Sequence, residues 1–129
     1  MKIIEEILNN YSEYETFMDD RFGRRLCDFL TIEQMKQLGF CYNDKEQEAK
    51  HQPKEWTEEN ILEQLKADVQ FGWQKAQDER GISSSLMYEV VKTWCKVLEN
   101  EFADFNGYAP YGKPLFRAVA TKYGFELEE

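Results

Sequence analysis

The sequence predicts an all-α fold: a single irregular bundle of five or six helices with a central antiparallel helix pair. Three observations predict it. Residues 56–105 carry two long apolar stripes at helical spacing, joined by a short turn, Gly81-Ile82-Ser83. A third stripe of the same period fills the N-terminal third. Capping residues stand in front of these stripes and glycine stops stand behind them.

The first stripe is Ile3, Ile4, Ile7, Leu8, Tyr11, Tyr14, Met18, Phe22, Leu26 and Phe29. Its phase drifts little, which favours one long helix. Ser12 followed by Glu15 has the capping-box spacing after Asn9-Asn10, so a second helix starting there is the alternative. Gly23 is a further weak point, since a mid-helix glycine costs about 1 kcal/mol against alanine. Thr31 caps a short helix with Gln34 at the capping-box position and Ile32, Met35 and Leu38 on its apolar face. Gly39-Phe40 then reads as a left-handed stop with a hydrophobic residue folding back.

Residues 41–55 lack apolar periodicity and read as a polar loop, with His51 solvated within it. Thr57 caps the next helix, predicted over 57–80, with Glu58 and Glu59 in its first turn. Its stripe is Ile61, Leu62, Leu65, Val69, Trp73 and Ala76, and Gly72 at the stripe's edge points to a close backbone neighbour, the alternative being a glycine that is simply tolerated. Ser83 or Ser84 caps the following helix, predicted over 84–104, with Leu86, Met87, Val90, Val91, Trp94, Val97, Leu98, Phe102 and Phe105 inward. The short connection makes these two helices antiparallel. Glu101 breaks that stripe, so it must be paired, solvated at a helix end, or turned to an interface. Residues 106–114 form a loop rich in glycine, proline and tyrosine. Pro114 opens a last helix that buries Leu115, Phe116, Val119, Ala120 and Tyr123, and Gly124-Phe125 repeats the stop.

At 129 residues the chain is expected to be one domain. With 42% apolar and 15% aromatic residues, intrinsic disorder is not expected. No apolar run approaches the roughly 20 residues that span a bilayer, and the acidic start is wrong for a signal peptide. Three cysteines (Cys27, Cys41, Cys95) without repeated spacing indicate reduced thiols, hence a cytoplasmic setting. Close ligand pairs of a zinc site are missing, so neither metal nor cofactor is expected.

A formal charge of −9 disfavours direct contact with nucleic acid or anionic membrane. The acid is concentrated in two blocks: Glu5, Glu6, Glu13, Glu15, Asp19 and Asp20, then Glu55, Glu58, Glu59 and Glu63. Two readings follow: solvated helix faces, or an acidic surface offered to a basic partner. Phe105, Tyr108, Tyr111 and Lys113 make a second candidate, because tyrosines on a stiff loop bring contact area and a hydroxyl at small entropic cost. They equally suit the closed end of a bundle. Arg21, Arg24 and Arg25 form the basic cluster, either a grip for phosphate or part of surface salt bridges with Asp20 and Asp28. Signatures of nucleophilic, metal-dependent or phosphate-binding catalysis are missing, so an enzyme is not expected.

The segments Trp56-Thr57-Glu58-Glu59-Asn60-Ile61, Asp68-Val69-Gln70-Phe71-Gly72, Gly81-Ile82-Ser83-Ser84-Ser85-Leu86, Trp94, Tyr111-Gly112-Lys113-Pro114-Leu115 and Tyr123-Gly124-Phe125 form a pattern. It resembles that of small, largely uncharacterised acidic accessory proteins of phages, plasmids and conjugative elements of Firmicutes. The resemblance covers residues 56–125 and extends more loosely from Arg24-Arg25 to Phe40. It implies no catalytic residue. What it implies is a mobile-element setting, in which small acidic proteins often inhibit host defence, as anti-restriction and anti-CRISPR proteins do. The expected function is therefore a non-enzymatic inhibitor of a basic, nucleic-acid-handling protein, acting through the acidic residues. The alternative is a nucleic-acid-binding regulator using Arg21, Arg24 and Arg25 with the tyrosine loop.

Overall fold

The computed structural model describes residues 1–15, 20–78, 81–107 and 110–128, with Gly81 and Ile82 described in backbone only. Among them are seven α-helices, three 3₁₀ turns and no strand, so the fold is all-α. The helices are α1 (Ile4–Asn9), α2 (Arg21–Leu26), α3 (Ile32–Gln37), α4 (Lys45–Lys50), α5 (Glu58–Gln77), α6 (Gly81–Leu98) and α7 (Lys113–Tyr123).

The long pair α5–α6 forms the centre. Thr57 Oγ1 accepts a hydrogen bond from the Asn60 amide, capping α5, and Glu58 and Glu59 occupy its first turn. The pair is antiparallel: Gly72 lies against Met87, while Asp68 farther back on α5 meets Trp94 farther along α6. The close neighbour expected at Gly72 is a side chain. A Cβ there would lie 2.5 Å from the Phe116 ring of α7 and 3.0 Å from Met87 Cβ. Trp94 is fully buried, with Phe22, Phe29 and Trp56 ring centroids 4.8, 6.0 and 6.4 Å away. Ile61, Leu65, Val69, Val90, Val91, Leu115 and Val119 complete the same core, each side chain contributing about 1.5–3 kcal/mol on burial.

The N-terminal stripe is not one helix. Asn10 ends α1 by returning its own Nδ2 to the Glu6 carbonyl, and a 3₁₀ turn at Tyr11–Glu13 follows. Ser12 sits inside that turn, so the expected capping box with Glu15 does not start a helix. After α2, a further 3₁₀ turn at Cys27–Phe29 leads to Thr31, whose capping box with Gln34 is complete in both directions. Gly39 takes φ +87, and the Phe40 amide bonds back to the Met35 carbonyl, closing α3 as expected.

Residues 41–55 are not a simple loop. Asp44 accepts from the Glu46 amide and starts α4. His51 is half-buried and fully engaged: its Nε2 lies 2.7 Å from the Leu30 carbonyl, and its Nδ1 lies 2.9 Å from the Tyr42 hydroxyl. The carbonyl accepts only, so Nε2 carries the proton, and in the neutral ring Nδ1 then accepts from the Tyr42 hydroxyl. With the Lys54 amide on the Asp28 carbonyl, this segment is stitched to the end of α2 and its 3₁₀ turn.

Helix α6 runs over 81–98, not 84–104. The expected turn Gly81-Ile82-Ser83 is the start of this helix and Ser84 follows inside it, while Glu79 and Arg80 lie outside the described residues. It ends because Glu99 adopts a left-handed φ of 58°, and the Asn100 amide reaches the Cys95 carbonyl. Asn100 then caps a 3₁₀ turn at Glu101–Asp104. Glu101 is therefore beyond the helix, exposed and paired with Lys122 at 2.7 Å, which lowers its pKa. None of the helices is long and apolar enough to cross a membrane among the described residues.

Candidate interaction surface

Two long-range contacts and one backbone pair gather the acidic blocks at one end of the bundle. Trp56 donates its indole N–H to the Lys2 carbonyl, tying the start of α5 to the start of α1. The Lys2 amide bonds to the Val97 carbonyl, and Lys96 Nζ bonds to the Glu13 carbonyl while resting 4.5 Å from the Tyr14 ring centre. Both acidic segments therefore lie where α5 begins and α6 ends. In an antiparallel pair that is one end. The negative pole of α6 adds to the field there, while Glu58 and Glu59 sit favourably at the positive pole of α5.

Glu5, Glu13, Glu15, Glu55, Glu58, Glu59 and Glu63 are exposed and make no ion pair with any described residue. Glu6 is exposed but bonded to Lys2 at 3.1 Å, and Lys2 also reaches Glu99 at 3.3 Å; these bonds raise the lysine's pKa. Asp20 points elsewhere. It accepts the Tyr11 hydroxyl, whose pKa burial and then this carboxylate drive upward, so the phenol stays protonated. Asp19 lies outside the described residues.

The arginines do not form one patch. Arg25 turns inward: its Nε donates to Asp68, one terminal nitrogen to the Arg21 carbonyl, and the other lies 3.6 Å from Met87 Sδ. Arg24 is exposed with no ion pair among the described residues, so the expected bridges to Asp20 and Asp28 do not form. Of the aromatic candidates, Phe105 is half-buried and its carbonyl accepts from the Tyr88 hydroxyl. Tyr111 is 40% exposed at a left-handed φ of 54°. Lys113 lines an open cleft of about 360 Å³ with Pro110, Pro114 and Arg117. Tyr108 lies outside the described residues.

Asp68 is the polar residue that reading the sequence missed. It is 2% exposed and receives Arg25 Nε, Gln64 Nε2 and Trp94 Nε1. Burial pushes its carboxyl up, against the opposing pull of Arg25, Trp94 and Gln64. It joins α2, α5 and α6 and lines neither the cleft at Lys113 nor the one beside Phe71, so its position is that of a structural hub. The signal was present: Asp68 falls seven residues after Ile61, on the buried side of α5, and the stripe rule applied to Glu101 applies to it equally. The thiols of Cys27 and Cys95 are buried and pushed up to about 11 by desolvation, so they are protonated near neutral pH. Among the described residues no group of three or more His, Cys, Asp or Glu side chains is arranged to hold a metal ion.

No family model matches the chain, and no curated protein or solved structure matches it either.

Proposed function

We propose that this chain is a non-enzymatic interaction protein that inhibits a basic, nucleic-acid-handling protein of the host through its acidic end. The observation that carries the reading is the set of seven exposed carboxylates, without an ion-pair partner among the described residues, around the start of α5 and the end of α6. A surface that only needed solubility gains nothing from leaving like charges together, because clustered carboxylates repel one another. A partner with a lysine- and arginine-rich surface, such as one built for phosphates, relieves that repulsion on binding. The resemblance of residues 56–125 to accessory proteins of mobile elements supports an inhibitor of the anti-restriction or anti-CRISPR type, working in the cytoplasm. Because the attraction is between charges, the affinity falls steeply as salt rises. The test is a pull-down from host lysate with the unmodified chain and with Glu5, Glu55, Glu58, Glu59 and Glu63 all changed to Gln. A basic partner held by the first and lost by the second is the expected result.

A second reading, a nucleic-acid-binding regulator, draws on exposed Tyr111 beside the cleft formed with Lys113 and Arg117. Of the arginine cluster, Arg25 is committed to Asp68 and contributes nothing to it. A mobility shift with single-stranded DNA or RNA at low salt, abolished by Tyr111→Ala, is what this reading requires.

A further inference from the structure

The segment after α7 is held by side chains of α5. Gly124 ends α7 at φ +72, the Phe125 amide bonds back to the Ala120 carbonyl, and residues 125–128 continue without helical structure. The side chains of Gln70, Trp73 and Gln77 on α5 donate to the backbone: Gln70 to the Glu126 carbonyl at 3.2 Å, Trp73 and Gln77 to the Glu128 carbonyl at 2.8 and 3.0 Å. Phe125 and Leu127, the alternate residues, pack against the core. Glu126 and Glu128 between and after them are exposed, so two side chains are seated while the backbone carbonyls of the alternate residues accept from donors on a helix. Nothing in this arrangement recognises the identity of Glu126 or Glu128 by a side-chain bond among the described residues. Backbone recognition with pockets at alternate positions is how extended peptides are bound in trans.

Two further features point to a ligand. The tail does not fill the space: an open cleft of about 350 Å³ remains beside it, lined by Ala67, Gln70, Phe71, Gln74 and Glu128, and Phe71 is 38% exposed in it. The groove is also fringed with cations in a chain of net charge −9. Lys66 shares a second cleft with Glu126 and Glu128, Arg117 lies 5.1 Å from the Trp73 ring centre, and Lys75 lies 5.4 Å from that of Phe71. We infer that this face of α5 is a docking groove for an extended acidic peptide of a partner protein, with apolar residues at alternate positions. The chain's own residues 125–128 occupy it as an internal competitor. This site is distinct from the acidic end and takes a partner of opposite charge, so it stands or falls independently of the function proposed above.

The three tryptophans provide the test, because their indole N–H groups have three different acceptors: Lys2, Asp68 and Glu128. In the full chain carrying Phe125→Ser and Leu127→Ser, the Trp73 indole resonance moves and those of Trp56 and Trp94 stay. Adding a synthetic peptide with the sequence of residues 125–129 returns the Trp73 resonance to its original position. A peptide with serine at both apolar positions, and one with lysine at the acidic positions, bind at least tenfold more weakly. Should the double variant move all three resonances, the unmodified chain serves instead. There the peptide, at concentrations matching the millimolar effective concentration of a tethered tail, displaces the residues 126–128 amide resonances. A Trp73 resonance that ignores the peptide and a tail that is not displaced would overturn the inference, as would equal binding of the lysine peptide. Dimerisation of the unmodified chain with the tail exchanged between copies would also overturn it.

Discussion

Asp68 and the carboxylates at the acidic end are the same chemical group in opposite situations. Asp68 sits in the core with three donors converging on it, from α2, α6 and its own helix. Glu5, Glu55, Glu58, Glu59 and Glu63 are exposed and form no ion pair among the described residues. A buried charge without partners costs several kcal/mol, so the fold must supply them. An exposed charge carries no such obligation, and its neighbours are left to be met by something else. The contrast separates acid that builds the protein from acid available to a partner, and predicts opposite responses to substitution.

The largest effect is expected at the hub. Arg25→Met leaves Asp68 buried with Trp94 and Gln64 alone and should cost about 3–5 kcal/mol in urea unfolding at neutral pH. The sign with pH follows from burial. Asp68 already has a folded-state pKa above its unfolded value, and losing Arg25 raises it further. The protonated group is thus favoured in the fold below the unfolded pKa, and that advantage is lost as pH rises through the folded pKa. Arg25→Met should therefore be less damaging near pH 4 than near pH 8. A cost that is unchanged between these pH values would mean that Asp68 is not the charge left behind.

Next comes the packing that holds the hub's helices together. Gly72→Ala forces a methyl against Phe116 and Met87, and overpacking of about 1–3 kcal/mol outweighs the gain of about 1 kcal/mol from better helix propensity. Thermal melts should show a lower Tm; a higher one would mean that the Phe116 ring moves aside freely. Thr31→Ala removes the capping box of α3 and should cost about 1 kcal/mol by the same melts. Smallest of all is the acidic end. Changing Glu58, Glu59 and Glu63 together to Gln should alter stability by about 0.5 kcal/mol or less per site. A large loss there would erase the contrast with Asp68.

The sequence announces elements whose cause is local. Thr31 with Gln34, Gly39 with Phe40, and Thr57 before Glu58 are all within one turn of the structure they set, and each behaves as its chemistry dictates. Features decided by distant residues are not legible in this way. Arg25 meets Asp68 across 43 positions, and His51 stitches its segment to a carbonyl 21 positions away. Helix α6 ends on Glu99 in a left-handed conformation that favours glycine, so its stripe continued in the sequence past the true end. The exposed acid of the candidate surface is readable from composition. Its collection at one end rests on Trp56 reaching Lys2, which no spacing rule contains.

The most direct test of the acidic end is binding of its captured partner across salt concentration, with the unmodified chain and the five-site Glu→Gln variant compared side by side. The account predicts a basic protein bound at about 50 mM salt, released as the Debye length shrinks toward about 3 Å near 1 M, and not bound by the variant at either. A partner that binds both chains equally and ignores salt would contradict it.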